Sequence, residues 1–240
     1  MVPTTVPKVK AETDMAGADT VPTDAAEPGW RERAVSRSLN AARSRAEERV
    51  QRFLDAAFEL IDEKGSTEFT IQEVIERSKQ SLRGFYEYFD GKDELVLALF
   101  EETVREANDD IHAAVGAESD PLTRLRVFAI RLHEWCDPTE TPRIRGSHNR
   151  RAISEFSLHL TVNYSERVRT ALKPQSRLLR ELIEAAAESG AIDVGDTRRA
   201  AAIIQQTVMC SWFGDRLIEN PKQRLTAEET WEFCLHGLGV

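Results

Sequence analysis

From Val35 onward the apolar residues keep to one helical face. Val35, Leu39, Ala42, Ala46, Val50, Phe53, Ala57 and Ile61 follow one another at steps of three and four. The unbroken stripe predicts one helix from about Ser36 to Lys64, stopped by Gly65. Thr70 with Glu73 three residues later makes a capping box, with Phe69 and Val74 at the hydrophobic-staple positions around it. A second helix therefore starts at Thr70 and buries Ile71, Val74 and Ile75, with Ser78 near its end. A third, short helix is expected from about Ser81 to Phe89, with Phe85 and Phe89 on its inner face and the Asp90-Gly91 turn after it.

The rest of the chain keeps the helical period. Lys92 opens a long helix with the stripe Leu95, Leu99, Val104, Ile111, ending near Gly116. Asp120-Pro121 starts another, to about Cys136, which turns Leu122, Leu125, Phe128, Leu132 and Trp135 inward. Helices are predicted over about 148–161 and 163–188, the second kinked or broken at Pro174. Asp196 caps a helix to about Ile218, and Thr226 with Glu229 forms a second capping box for a last helix through Cys234. No period-two alternation is present, so the fold class is all-α.

Composition sharpens this picture at three points. Residues 1–29 are rich in Pro, Thr, Ala and Asp without an apolar period, which predicts a disordered tail. The three cysteines, Cys136, Cys210 and Cys234, lack CxxC spacing, which points to a reduced, cytoplasmic protein with no disulfide framework. The apolar runs fall short of a membrane span. Net charge is −9, an argument against a general nucleic-acid binder, but it is unevenly spread. Residues 31–52 hold seven Arg against three Glu, while 93–240 are acidic. A basic element on an acidic protein suits selective contact with one polyanion.

Two short helices joined tightly between Ser78 and Ser81 form a helix-turn-helix candidate, whose second helix would enter a major groove. Its polar face offers Ser81, Arg83, Tyr86 and Tyr88. The runs Phe69–Ser78 and Ser81–Leu95, with Phe85-Tyr86, Phe89 and Lys92-Asp-Glu-Leu95, resemble the DNA-binding domain of the tetracycline-repressor (TetR) family. The resemblance covers about 50–100. It implies an N-terminal three-helix DNA-binding domain, taken as 30–92, and a larger helical effector-binding and dimerisation domain, 93–240.

It also implies residue roles. Tyr86 and Lys92 match phosphate-contacting positions, and Tyr88 stands where relatives often carry a phosphate-contacting His. Ser81 opens the recognition helix, and Arg83 and Gly84 match variable positions that can face bases. Arg83 is the best base reader by chemistry, since its fork can pair with guanine O6 and N7. Gly84 would let the backbone approach closely. Thr70 at the cap, Lys79 in the turn, and Arg37, Arg43 and Arg45 on the first helix complete the expected DNA-binding set, with Arg31 or Arg33 as a flexible arm. One departure stands out: the family's turn holds a Gly and an apolar residue, and here Lys79-Gln80 stand there. A left-handed Lys79 would cost about 1–2 kcal/mol, and the alternative is a differently built turn.

Other chemistry is sparse. The five histidines show no metal spacing, and no GxSxG, P-loop or GxGxxG is present, so no catalytic, metal or cofactor site is expected. Phe128, His133, Trp135, Phe156, His159, Met209 and Trp212 are candidates for an effector pocket, weighed against plain core or surface roles. A dimer is expected through the last two helices, using Ala201, Ile204, Val208, Ser211 and Trp212 with Trp231 and Leu235, unless those faces complete the chain's own core. The resulting reading is a homodimeric regulator of a double-stranded DNA operator, released by a small molecule, with no membrane partner. The alternative is a helical ligand-binding or scaffold protein that has lost DNA binding.

Overall fold

The structure is a computed structural model that describes residues 29–136, 159–215, 218, 220 and 223–238. Every regular element among them is a helix. In chain order these are α1 (Gly29–Lys64), α2 (Ile71–Ser78), α3 (Leu82–Tyr86), α4 (Lys92–Gly116), α5 (Pro121–Cys136), α6 (Ser165–Glu188), α7 (Thr197–Asp215) and α8 (Ala227–Gly237). Residues 159–163 are also helical. The tail 1–28, the loop expected after Cys136 and the greater part of the helix expected over 148–161 lie outside the described residues.

The chain divides into two units, Met1–Arg45 and Ala46–Val240, with the boundary inside α1. In the first unit the helix begins at Gly29, seven residues earlier than the stripe predicts, so Arg31 and Arg33 are helical rather than a flexible arm. No proline follows Pro28 until Pro121, so nothing in the backbone stops the helix from starting there. Trp30, Val35 and Leu39 are exposed, at 60%, 58% and 63%. Burial of the stripe becomes complete only at Phe53.

The second unit is built on two apolar clusters. The first gathers Phe53, Phe58, Ile61, Phe69, Val74, Phe85, Phe89, Leu95 and Leu99 from the first four helices, together with Leu160 and Val168. The second joins Ile111 and Val115 of α4 to Leu125, Phe128 and Leu132 of α5, Leu179 and Ile183 of α6, Ile204 and Val208 of α7, and Trp231 of α8. The helix α4 contributes to both clusters, its N-terminal half to the first and its C-terminal half to the second.

Caps set most boundaries where the sequence places them. Gly65 ends α1 at φ +64, and its N–H donates to the Ile61 carbonyl at 2.8 Å. The capping boxes of α2 and α8 are both complete. Asp120 accepts from the Thr123 N–H at 2.8 Å, and Asp196 from the Arg199 N–H at 3.1 Å.

Two expectations need correction. α3 ends at Tyr86 and not Phe89, because the chain must turn to bring Phe89 under Phe53. α6 runs unbroken through Pro174. Pro174 itself is exposed while Val168, Leu178 and Leu179 of the same helix are buried, so packing on either side carries the helix past it.

Glu73 links the α2 cap to α1. Its carboxylate accepts from Lys64 Nζ at 2.7 Å and from the Thr70 N–H at 2.7 Å. The Lys64 contact, then the Thr70 amide and hydroxyl, hold its pKa at about 2 against an ordinary 4.5. A depressed carboxylate contributes stability that is fully present above its unfolded value and is lost as pH falls through the folded value. Glu73→Gln should therefore flatten the fall in melting temperature between about pH 4.5 and about pH 2, as read by thermal denaturation across that range.

Candidate nucleic-acid interface

The link between α2 and α3 decides how α3 is presented. Lys79 sits at φ 55, ψ 34, the left-handed conformation, and its N–H donates to the Ile75 carbonyl. Gln80 N–H reaches the same carbonyl at 3.3 Å. This is the helix-ending turn that glycine normally supplies, here built with lysine. The departure at Lys79-Gln80 therefore leaves the turn's form intact, and what it adds is strain of about 1–2 kcal/mol.

Ser81 then caps α3, its Oγ accepting the Gly84 N–H at 3.0 Å. Phe85 faces inward and is fully buried, edge-on to Phe53 with centroids 5.6 Å apart. Phe89 lies 5.3 Å from Phe85 and 6.1 Å from Phe53. With this side pinned, Ser81, Leu82, Arg83 and Tyr86 form the exposed side. Tyr86 is 55% exposed while its ring edge rests on Phe85. Tyr88 is half-buried against the core and is less accessible than Tyr86. A Cβ on Gly84 would stand 3.2 Å from Ser81 Oγ, so a larger residue there would press on the cap.

Leu82 was not anticipated as a contact. It is 51% exposed at the first position of α3. An outward leucine inside an apolar-looking run carries no signal in the sequence until the helix's rotation is known.

The charges divide sharply. Arg77 is held by Glu63 at 2.6 Å and by Glu59 at 3.4 Å, and Lys64 by Glu73. Lys79 and Arg83 are exposed, with no ion pair among the described residues. Lys92 opens α4, its Nζ 4.8 Å above the Phe69 ring, and partial burial lowers its pKa from the lysine value. Gly91, before it, supplies no side-chain cap, while Glu94 accepts the Asp90 N–H at 2.7 Å. Thr70 is exposed, but its hydroxyl is engaged with Glu73. On α1, Arg37, Arg43 and Arg45 are exposed, and Arg45 Nε donates to the Ala41 carbonyl at 3.0 Å.

Of the body residues expected in an effector pocket, Phe128, Trp135 and Met209 belong to the second cluster or pack on it, and His159 lies apart from Trp135. His159 is exposed and lies 3.5 Å from Asp93, whereas Trp135 Nε1 donates to Asp110 at 2.9 Å. Those two α4 positions are about 25 Å apart along the helix, so His159 and Trp135 do not line one cavity. Phe128 and His133 are buried, and Met209 is half-buried. Phe156 lies outside the described residues, as does the side chain of Trp212.

If Lys79 carries backbone strain, Lys79→Gly should raise stability by about 1 kcal/mol through relief of that strain. Chemical denaturation measures this directly, and Lys79→Ala in parallel should show no gain.

This geometry has close counterparts. Residues 53–99 match the model of the bacterial regulatory proteins of the tetR family. A 77-residue stretch is 32% identical to the HTH-type transcriptional regulator BetI of Brucella anthropi, covering 32% of this chain and 40% of that one, so the chain spans about two fifths of the length of the curated relatives it matches. In fold, a TetR transcription regulator from Haloarcula marismortui superposes with a TM-score of 0.62 at 18% identity, over 80% of this chain and 98% of that one. A TetR/AcrR-family regulator from Thermobifida fusca does so at 0.59 and 19%, over 80% and 96%. Residues 53–99 thus match the tetR-family model, and the all-helical fold is shared along most of the chain with these regulators.

Proposed function

We propose that the protein is a sequence-specific DNA-binding transcriptional regulator, a repressor released by a small-molecule effector, and that it acts as a homodimer. One observation carries the DNA-binding part. α3 presents Ser81, Leu82, Arg83 and Tyr86 to solvent while Phe85 is locked into the core behind them. Such a helix can enter a major groove without disturbing the fold. Arg83 reads guanine, and Leu82 can lie against a thymine methyl. Tyr86, Lys79 and Lys92 take phosphates, Lys92 beside the uncapped amides at the start of α4. Arg37, Arg43 and Arg45 add sequence-independent attraction from the basic first unit. Residues 30–92 thus serve DNA binding and 93–240 serve effector binding and assembly. The BetI relatives carry the name of transcriptional regulators, in keeping with this reading and not with an enzyme.

The assembly surface differs from the one the sequence suggests. Ala201, Ile204, Val208 and Trp231 are buried within the chain's own second cluster. The outward residues of α7 and α8 are Ile203 (62% exposed), Cys210 and Phe233 (72%), with Leu225 just before α8 (49%). Apolar side chains this exposed on neighbouring helices support pairing with a second copy.

Two outcomes are expected. In salt titrations, Tyr86→Ala and Lys92→Ala should each weaken binding to all duplexes alike and lower the salt slope by about one. Arg83→Ala should instead relax the preference at one base position, at about 1–3 kcal/mol. Removal of residues 1–42 should lower affinity and slope together. Unchanged affinity in all of these would leave the scaffold reading in place. Second, the intact chain should sediment as a dimer at micromolar concentration and Phe233→Glu as a monomer with weakened operator binding; a monomeric wild type would refute the assembly.

A further inference from the structure

We infer that His133 is the polar anchor of an internal binding site in the helical body, and that the site takes an uncharged, largely apolar molecule with a hydroxyl head. The inference rests on the effector reading above and specifies its chemistry. His133 is 1% exposed, and neither ring nitrogen has a hydrogen-bond partner. It continues the buried stripe of α5 made by Leu125, Phe128, Ala129 and Leu132, which packs into the second apolar cluster. A neutral imidazole has one donor and one acceptor, so both are left unmet in an apolar interior. Buried polar atoms are nearly always paired, and an imidazole with both atoms unpaired marks a place where a partner belongs.

Other polar groups of the body have partners within the chain. Trp135, two residues on, donates to Asp110 of α4. The buried Gln175 of α6 accepts from Gln205 of α7 at 3.2 Å, and Ser176 donates to Gln205 at 2.7 Å. His133 has no such partner, although it is buried as deeply as Gln175.

The setting of His133 selects the ligand. The other buried residues of its helix, Leu125, Phe128, Ala129 and Leu132, carry no charge. A phosphate, sulfonate or carboxylate would be buried without a counter-charge, which is costly. A hydroxyl both donates and accepts, so it can serve either ring nitrogen while the apolar remainder packs against leucine and phenylalanine. His133 is 1% exposed, so a ligand must displace the side chains that cover it.

The test uses the full-length protein with three probes, 4-propylphenol, propylbenzene and 4-propylbenzoate. The readouts are melting temperature and the ring nitrogen resonances of His133, assigned with His133→Leu in uniformly labelled protein. The phenol should raise the melting temperature and move the His133 resonances, binding roughly tenfold more tightly than the hydrocarbon, about the worth of one hydrogen bond to a desolvated partner. The benzoate should do neither. Unliganded His133→Leu should melt no lower than wild type, because the change removes an unmet polar group, and it should lose the preference for the phenol. The assignment is overturned if the phenol leaves the His133 ring unmoved, if the benzoate binds as well, or if His133→Leu melts well below wild type. Release of a selected operator duplex separates the two levels of the reading. If the phenol moves the ring but the duplex stays bound, the site stands and the effector reading fails. If the phenol releases the duplex with the ring unmoved, the effector reading stands and the site fails.

Discussion

The helix α3 is five residues long and cannot hold itself. A single turn of helix in water is unfavourable, since nucleation fixes several residues for one hydrogen bond. What holds α3 is Phe85, fully buried, edge-on to Phe53 of α1 at 5.6 Å and tilted against Phe89 beyond the turn at 5.3 Å. Everything the interface offers depends on that wedge. It sets the rotation of the helix, so that Arg83 and Tyr86 face out, and it ties the reading helix to α1 and, through Leu95 and Leu99 in the same cluster, to α4. Ser81 and the left-handed Lys79 then fix where the helix starts.

The same cluster ties the short helices to the body by contact. Leu160 and Val168 come from the body yet sit among Phe53, Phe85 and Leu95. Beside them Arg167 of α6 spans Glu94 and Glu101 of α4 at 3.2–3.4 Å, and His159 lies near Asp93. Glu94 also accepts the amide of Asp90, in the turn that carries α3 into α4. These ion pairs are partly exposed and each contributes little to stability. Their position matters more, because a shift of α6 along α4 would be felt directly at the turn preceding Lys92.

Charge is arranged by sign and by pairing. Overall the chain carries −9, yet the arginines of 31–52 form a basic block at one end. Within the helix-turn-helix, Arg77 and Lys64 are neutralised by carboxylates on the inner edges of α1 and α2, while Lys79 and Arg83 stand outward without ion pairs among the described residues. Cations that tie the fold are thus kept apart from those presented to a polyanion.

Local chemistry was enough to read much of this from the chain. Capping boxes, Gly65 and the Asp caps act over four or five residues, so Thr70–Glu73, Asp120, Asp196 and Thr226–Glu229 mark helix starts in any fold that contains them. The aromatic spacing around Phe85 and Phe89 likewise marked the stretch that matches the tetR-family model. The rotation of a helix about its axis, and what lies against its apolar face, are settled by partners far away in the sequence. For that reason the tertiary structure alone decided that Leu82 faces solvent and that α6 passes through Pro174. It also decided that the small apolar face of α7 belongs to the chain's own core, leaving Ile203 and Phe233 outside. His133 shows the limit most plainly. The sequence offered it only as one pocket candidate beside core and surface roles, and that it is buried with both nitrogens unpaired follows only from the packing of the body.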